Sequence, residues 1–234
     1  MRGGHQVAAK QGIDELKCEV VKMGTLVQEV LQKAITAMVD KNLELASEVI
    51  EADDLVDEME LAIEQKCYSL IALRQPMASD LRAIATALRI IVDLERMGDH
   101  AEALAEITIA LIDEPYIKPL IDIPHMAKLC QEMLSEVLRA YARGDSNIVD
   151  SLISMERQVD ALYDQIFREL LVYMMENAKN IAQATRLLLA AGHLERVADH
   201  ITNIGEMVVY MVEGRRLDIN RMSRQADAEP ESPL

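Results

Sequence analysis

Tryptophan is absent from the 234 residues, phenylalanine occurs once, and aromatic residues make up only 3% of the chain. Any core must therefore be aliphatic. Half of the residues are hydrophobic, 14 Met among them, which is ample for one shared core or two small ones. The methionines read as core filler, because a flexible thioether adapts to irregular gaps.

Cysteine is also scarce. Cys18, Cys67 and Cys130 form no CxxC pair, which excludes a zinc knuckle and a disulfide framework and points to a reducing cytoplasm. Long apolar runs are missing: no stretch free of charge exceeds the eight residues 187–194, far short of the roughly 20 that span a bilayer. Residues 1–10 lack the apolar core of a signal peptide. The chain is expected to be soluble and cytoplasmic. Positive charge is short too, with 24 basic against 40 acidic residues and a net charge of −16. Such a chain repels phosphate backbones and anionic headgroups, which argues against nucleic acid and a membrane surface as partners and leaves cations, basic proteins or water.

Catalytic signatures are not found. No His has a Glu three residues before it, as a ferritin-like di-iron site requires, and no His is followed by Asp, as the helical metal phosphohydrolases require. HExxH, GxSxG and a phosphate-cradling glycine loop are absent as well. No enzyme is expected.

With nine glycines and six prolines, punctuation is sparse and the segments between are long, which is the layout of helices. Ile13, Leu16, Val20, Met23, Val27, Val30 and Ala34 alternate three and four apart, the stripe of a packed helix. Further helices are predicted over about 43–73, 79–112, 124–143, 147–175 and 178–213, with Ser79 as an N-cap and Gln75–Pro76 forcing a turn. Pro115, Pro119 and Pro124 mark a central linker, so the fold class is all-α with two tandem three-helix bundles, divided as 1–115 and 116–214. Residues 215–234 read as a polar, disordered tail beyond Gly214.

The halves look like copies. Leu94, Glu95, Arg96, Asp99 and His100 recur 100 residues later as Leu194, Glu195, Arg196, Asp199 and His200, and Asp53 and Asp57 match Glu156 and Asp160 at an offset of 103. Glu29, Val30 and Leu31 likewise resemble Glu136, Val137 and Leu138. Each copy thus holds two acidic pairs spaced four apart, on one helix face. Roughly seven such pairs are expected from composition alone, most of them solvated, so a single pair carries nothing. Four in duplicated register leave two readings open, a solvated face and a cation site to which oxygen donors would draw magnesium, calcium, manganese or iron. Arg96 and Arg196 read as local ion-pair partners of the carboxylates. His100 and His200 lie off that face and read as partner-facing or packing residues rather than ligands; His193 stands where the first copy has Asp93.

Residues 93–100, Asp-Leu-Glu-Arg-Met-Gly-Asp-His, and 193–200, His-Leu-Glu-Arg-Val-Ala-Asp-His, resemble the PhoU family of bacterial phosphate-uptake regulators. Lys22, Met23 and Gly24, then Leu73 to Pro76, then Asp80, Leu81 and Arg82 add to the resemblance, which covers about 11–213. It implies paired three-helix bundles with multinuclear iron or zinc sites, whose ligands here would be Asp53, Asp57, Glu95, Asp99, Glu156, Asp160, Glu195 and Asp199. A family Asn is matched by Asn203 but replaced by Ala103, which implies a weaker first-half site. The resemblance further implies a homodimer that represses the phosphate-starvation response by linking the ATPase subunit of the phosphate ABC transporter to a sensor histidine kinase, reaching the inner membrane only through those partners. A bare helical scaffold and a carboxylate-metal hydrolase or oxidase are the competing readings.

Overall fold

The computed structural model describes the backbone of residues 2–74, 77–219 and 222, and the side chains of 11–73, 77–219 and 222. The described residues form six helices, α1 (Arg2–Asp40), α2 (Leu43–Arg74), α3 (Ala78–Ala110), α4 (Asp122–Arg143), α5 (Val149–Glu176) and α6 (Ile181–Glu213), with a 3-10 turn at Ala178–Asn180. They form two three-helix bundles, α1–α3 and α4–α6, as the sequence predicts. Among the described residues no helix is long and apolar enough to cross a membrane.

All seven residues of the predicted α1 stripe are buried. The helix ends depart from expectation where capping was inferred. α3 starts at Ala78 behind an extended Met77, so Ser79 lies inside the first turn and caps nothing; Gln75 and Pro76 lie outside the described residues. α5 starts at Val149 because Asn147 turns back onto Asp145, its N–H donating to Oδ1 at 3.0 Å. Asn177 accepts from the Lys179 N–H (3.0 Å), which tightens the chain into a 3-10 turn before α6. Gly144 and Gly214 end α4 and α6 at φ 66° and 73°, a left-handed conformation that glycine adopts without strain.

The bundles meet along two antiparallel helix pairs. In one, Thr86 Oγ1 approaches the Met207 carbonyl (3.4 Å), Asp93 bonds His200 (2.9 Å) and His100 meets His193 (3.2 Å), so α3 runs against α6. In the other, Gln28 donates to Ser135 (2.8 Å) and Gln131 to Gln32 (2.7 Å), while Gly24 lies against Leu138, so α1 runs against α4. Antiparallel contacts between equivalent helices are what a pseudo-two-fold between duplicated halves requires. The buried side chains of both halves join in one continuous core.

The linker between bundles is pinned at both sides. Lys41 Nζ donates to the carbonyls of Leu111 (2.9 Å) and Glu114 and lies over the Tyr116 ring, whose hydroxyl donates to Met38 O (2.6 Å). Buried Gln183 accepts the Ile117 N–H (2.6 Å) and donates to Pro115 O (3.0 Å). Lys118 pairs with Asp122 and Glu169. Beyond α6, Ile219 is fully buried and its N–H donates to Glu206 (2.6 Å), so packing continues past the point where composition places a disordered tail.

The Gln183→Leu variant keeps the volume but leaves the Ile117 N–H without its acceptor. We expect it to lower the unfolding free energy by about 1–3 kcal/mol in urea denaturation followed by circular dichroism. An unchanged midpoint would mean that the linker is held by its other contacts alone.

Candidate metal centre

The first-half carboxylates converge. α2 and α3 are antiparallel neighbours, and Val56, buried, packs against Gly98. That register sets Asp53 beside Gly98, where an added Cβ would fall 2.9 Å from Asp53 Oδ1. Glycine at this position is what lets the carboxylate lie against α3. Asp53 Oδ1 is buried and makes no hydrogen bond. Its carboxyl is pushed up to about 6 by burial and then by the negative charges of Glu102, Asp57, Asp99 and Asp54. Glu95 is raised for the same reasons, burial first and then Asp99, with Glu60 and Asp57 adding to it. Glu60 and Glu102 are raised as well, each by burial and by the carboxylates of this face.

Asp53, Asp57, Glu95 and Asp99 therefore share one acidic face, and Asp54, Glu60 and Glu102 join it. The last three were missed from the sequence. Glu60 and Glu102 each follow a named aspartate by three residues, so one further helical turn of the same face would have found them. Arg96 is the expected local counterion, bonded to Asp99 (3.0 Å) and close to Glu95 (3.4 Å). It is more than half exposed, and one guanidinium cannot neutralise seven carboxylates.

In the second half, Leu152 lies against Gly205 and Tyr163 faces Gly192, so α5 and α6 repeat the antiparallel register of α2 and α3. Glu156 and Asp160 fall between these crossings, opposite the turns that carry Glu195 and Asp199. Glu156 is buried, Asp160 exposed, and Glu195 and Asp199 are half-buried. Each engages at least one neighbouring group. This face is less acidic than the first, with Arg157, Tyr163 and Thr202 where the first copy has Asp54, Glu60 and Glu102. Asn203 is committed elsewhere, its amide donating to Asp93 Oδ1 (3.1 Å) across the bundle interface.

His100, His193, His200 and Asp93 form a second polar cluster, between α3 and α6. His200 Nδ1 meets Asp93 Oδ1 at 2.9 Å, and the ring centroids of His100 and His193 are 5.2 Å apart. Burial, then the positive fields of His193, His200 and the nearby arginines, lower His100 to about 4. His193 is lowered by burial and by Arg196. The three histidines lie at the seam between the bundles rather than within one of them.

Hard oxygen donors, an unbonded buried carboxylate oxygen and mutually raised carboxyls are the features by which the first acidic face could hold a multivalent cation such as iron, manganese, magnesium or calcium. Among the described residues, no three His, Cys, Asp or Glu side chains form a ready-made metal site.

These features define a tandem helical-bundle protein built by duplication around two acidic faces. The PhoU domain model matches residues 20–108 and again 123–208, one match per bundle. The chain belongs to the PhoU family. It is 43% identical over 202 residues to the phosphate-specific transport system accessory protein PhoU homolog of Aquifex aeolicus, covering 86% of this chain and 91% of that one. The homologue of the same name in Pseudomonas aeruginosa is 34% identical over 219 residues, covering 92% and 90%. The crystal structure of PhoU from Pseudomonas aeruginosa superposes with a TM-score of 0.84 at 35% identity, over 88% of this chain and 99% of that one. The phosphate transport system regulatory protein PhoU from Streptococcus pneumoniae gives 0.83 at 32%, over 90% and 99%. These relatives are named as accessory and regulatory proteins, in keeping with a non-enzymatic chain.

Asp53 has its carboxyl raised from 3.8 to about 6 in the folded chain. Its favourable contribution is complete below the unfolded value and is lost as pH rises through about 6. The metal-free Asp53→Asn variant should therefore match the parent in acid and exceed it near neutral pH. After allowance for solvent screening the gain is of order 1 kcal/mol, or about 2–4 °C in Tm. Differential scanning calorimetry of chelator-treated protein checks this, and a lower Tm for the variant near neutral pH would contradict the crowding of charge on this face. Gly98→Ala should displace Asp53 without altering the helix content seen by circular dichroism.

Proposed function

We propose that this chain is the accessory regulator of a phosphate-specific transport system, restraining phosphate uptake and the phosphate-starvation response from the cytoplasmic side without catalysis of its own. What carries the reading is likeness along nearly the whole chain to proteins named as accessory or regulatory proteins of phosphate transport systems.

In this proposal the chain works as a docking module between the transporter's ATPase subunit and a sensor histidine kinase, and it pairs as a homodimer. Asp53, Asp57, Glu95 and Asp99 would hold cations on the first face, and Glu156, Asp160, Glu195 and Asp199 on the second, iron or zinc being the ions the family implies. A bound cation would supply positive charge able to bridge two helices or an anionic group of the partner. The chain's own part is to present carboxylates from two rigid helices at fixed register, with the core beneath excluding other arrangements. Support comes from the shared first face and the repeated helix register in the second half. The bare-scaffold reading is favoured by the absence of a ready-made cluster among the described residues.

Deleting the gene should make phosphate-scavenging enzymes constitutive in phosphate-replete cells, and the wild-type gene should restore repression. The Asp99→Ala, Glu195→Ala double variant should fold, lose bound metal in elemental analysis and fail to restore it. Repression restored by a metal-free double variant would favour the scaffold, and unchanged enzyme levels on deletion would contradict the regulatory role.

A further inference from the structure

The duplicated halves differ at one place on their shared seam, and the difference changes the chemistry there. α3 carries Asp93 and His100 seven residues apart, two turns along one face; α6 carries His193 and His200 at the equivalent positions. The antiparallel crossing sets His200 against Asp93 and, by the same pseudo-two-fold, His100 against His193. Had the second copy kept the aspartate, the seam would hold two matching Asp–His pairs. With His193 it holds one such pair and a pair of imidazoles.

Two observations point to a ligand. The Nδ1 atoms of His100 and His193 share a hydrogen bond at 3.2 Å, a separation that is also close to the roughly 3.3 Å between two nitrogens on tetrahedral zinc with Zn–N bonds of about 2.0–2.1 Å. His200, whose ring centroid lies 5.6 Å from that of His100, has its Nδ1 on Asp93, and Asn203 holds the same carboxylate oxygen at 3.1 Å. A carboxylate on one imidazole nitrogen fixes the tautomer and leaves the other nitrogen free as a ligand, the usual support of a metal-bound histidine. We propose that His100, His193 and His200 form a transition-metal site of the zinc class at the seam between the bundles, separate from the two carboxylate faces.

Two donors stand at ligand spacing. The third is oriented but not drawn in, since among the described residues no three such side chains are grouped around one point. Metal uptake therefore pulls His200 Nε2 toward the other two, with Asp93 as its positioning residue. The three imidazoles leave one coordination position open, and because His100 belongs to one bundle and the other two to its neighbour, the bound ion cross-links the halves at their axis. Borderline-soft nitrogen donors select zinc or cobalt over the hard ions that suit the carboxylate faces.

The test uses the full chain, stripped with chelator and given one equivalent of zinc. X-ray absorption should count three imidazoles in the first coordination sphere, and cobalt in place of zinc should give the strong visible bands of a tetrahedral ion. Competition titration should place zinc binding at least about ten-fold weaker in His193→Gln and His100→Gln, and about 10- to 100-fold weaker in Asp93→Asn. A sphere with fewer than three imidazoles, or His193→Gln binding zinc as the parent does, overturns the proposal. The absorption measurement needs no variant and decides the matter even if the substitutions unfold the seam.

Discussion

The register of α2 against α3, repeated by α5 against α6, is the constraint on which the rest of the molecule depends. Apolar packing sets it: Val56 and Met97 are buried beneath the face that Asp53 and Glu95 occupy. Burial of such side chains is worth about 1.5–3 kcal/mol each, whereas like charges four apart on a helix disfavour it by only a few tenths. The core therefore wins, and the carboxylates are held together against their own repulsion. Burial first, and that stored repulsion after it, raises Asp53, Glu60, Glu95 and Glu102, and the repulsion is the physical reason a cation has something to gain there.

Duplication then shapes the whole. Two bundles related by a pseudo-two-fold meet through α3 and α6, and through α1 and α4, so each half supplies part of the other's burial. Symmetry is broken at small but telling places. Gly98 admits the short Asp53, whereas the second copy has buried Ala198 and the longer Glu156. Glu102 becomes Thr202, whose hydroxyl turns inward to the Asp199 carbonyl at 2.8 Å. The two faces are thus variants of one design with different charge, and Asn203, which the family pattern places beside the acids, bridges to the opposite bundle instead.

Helices, repeat and acidic pairs were legible because each is a local periodicity: the three-four spacing from Ile13 to Ala34 and the acidic pairs four apart need no knowledge of distant chain. Helix ends were less so: Ser79 reads as a cap that the backbone geometry decides against, and Asn147, where the spacing starts α5, belongs to the turn onto Asp145. The His200–Asp93 contact joins residues 107 apart and depends on the antiparallel crossing of α3 and α6, which no local pattern encodes. Ile219 was hidden by its polar neighbours, and Lys41 as the cap of the α3 carboxyl end required knowing that the linker folds back over α1.

The central claim is that acidic side chains from adjacent helices meet on one face in each half and gather cations there. Anomalous scattering from crystals soaked in iron or zinc tests it most directly. The account predicts peaks bonded to carboxylates of both α2–α3 and α5–α6. Saturating metal with no peak on either face would contradict it.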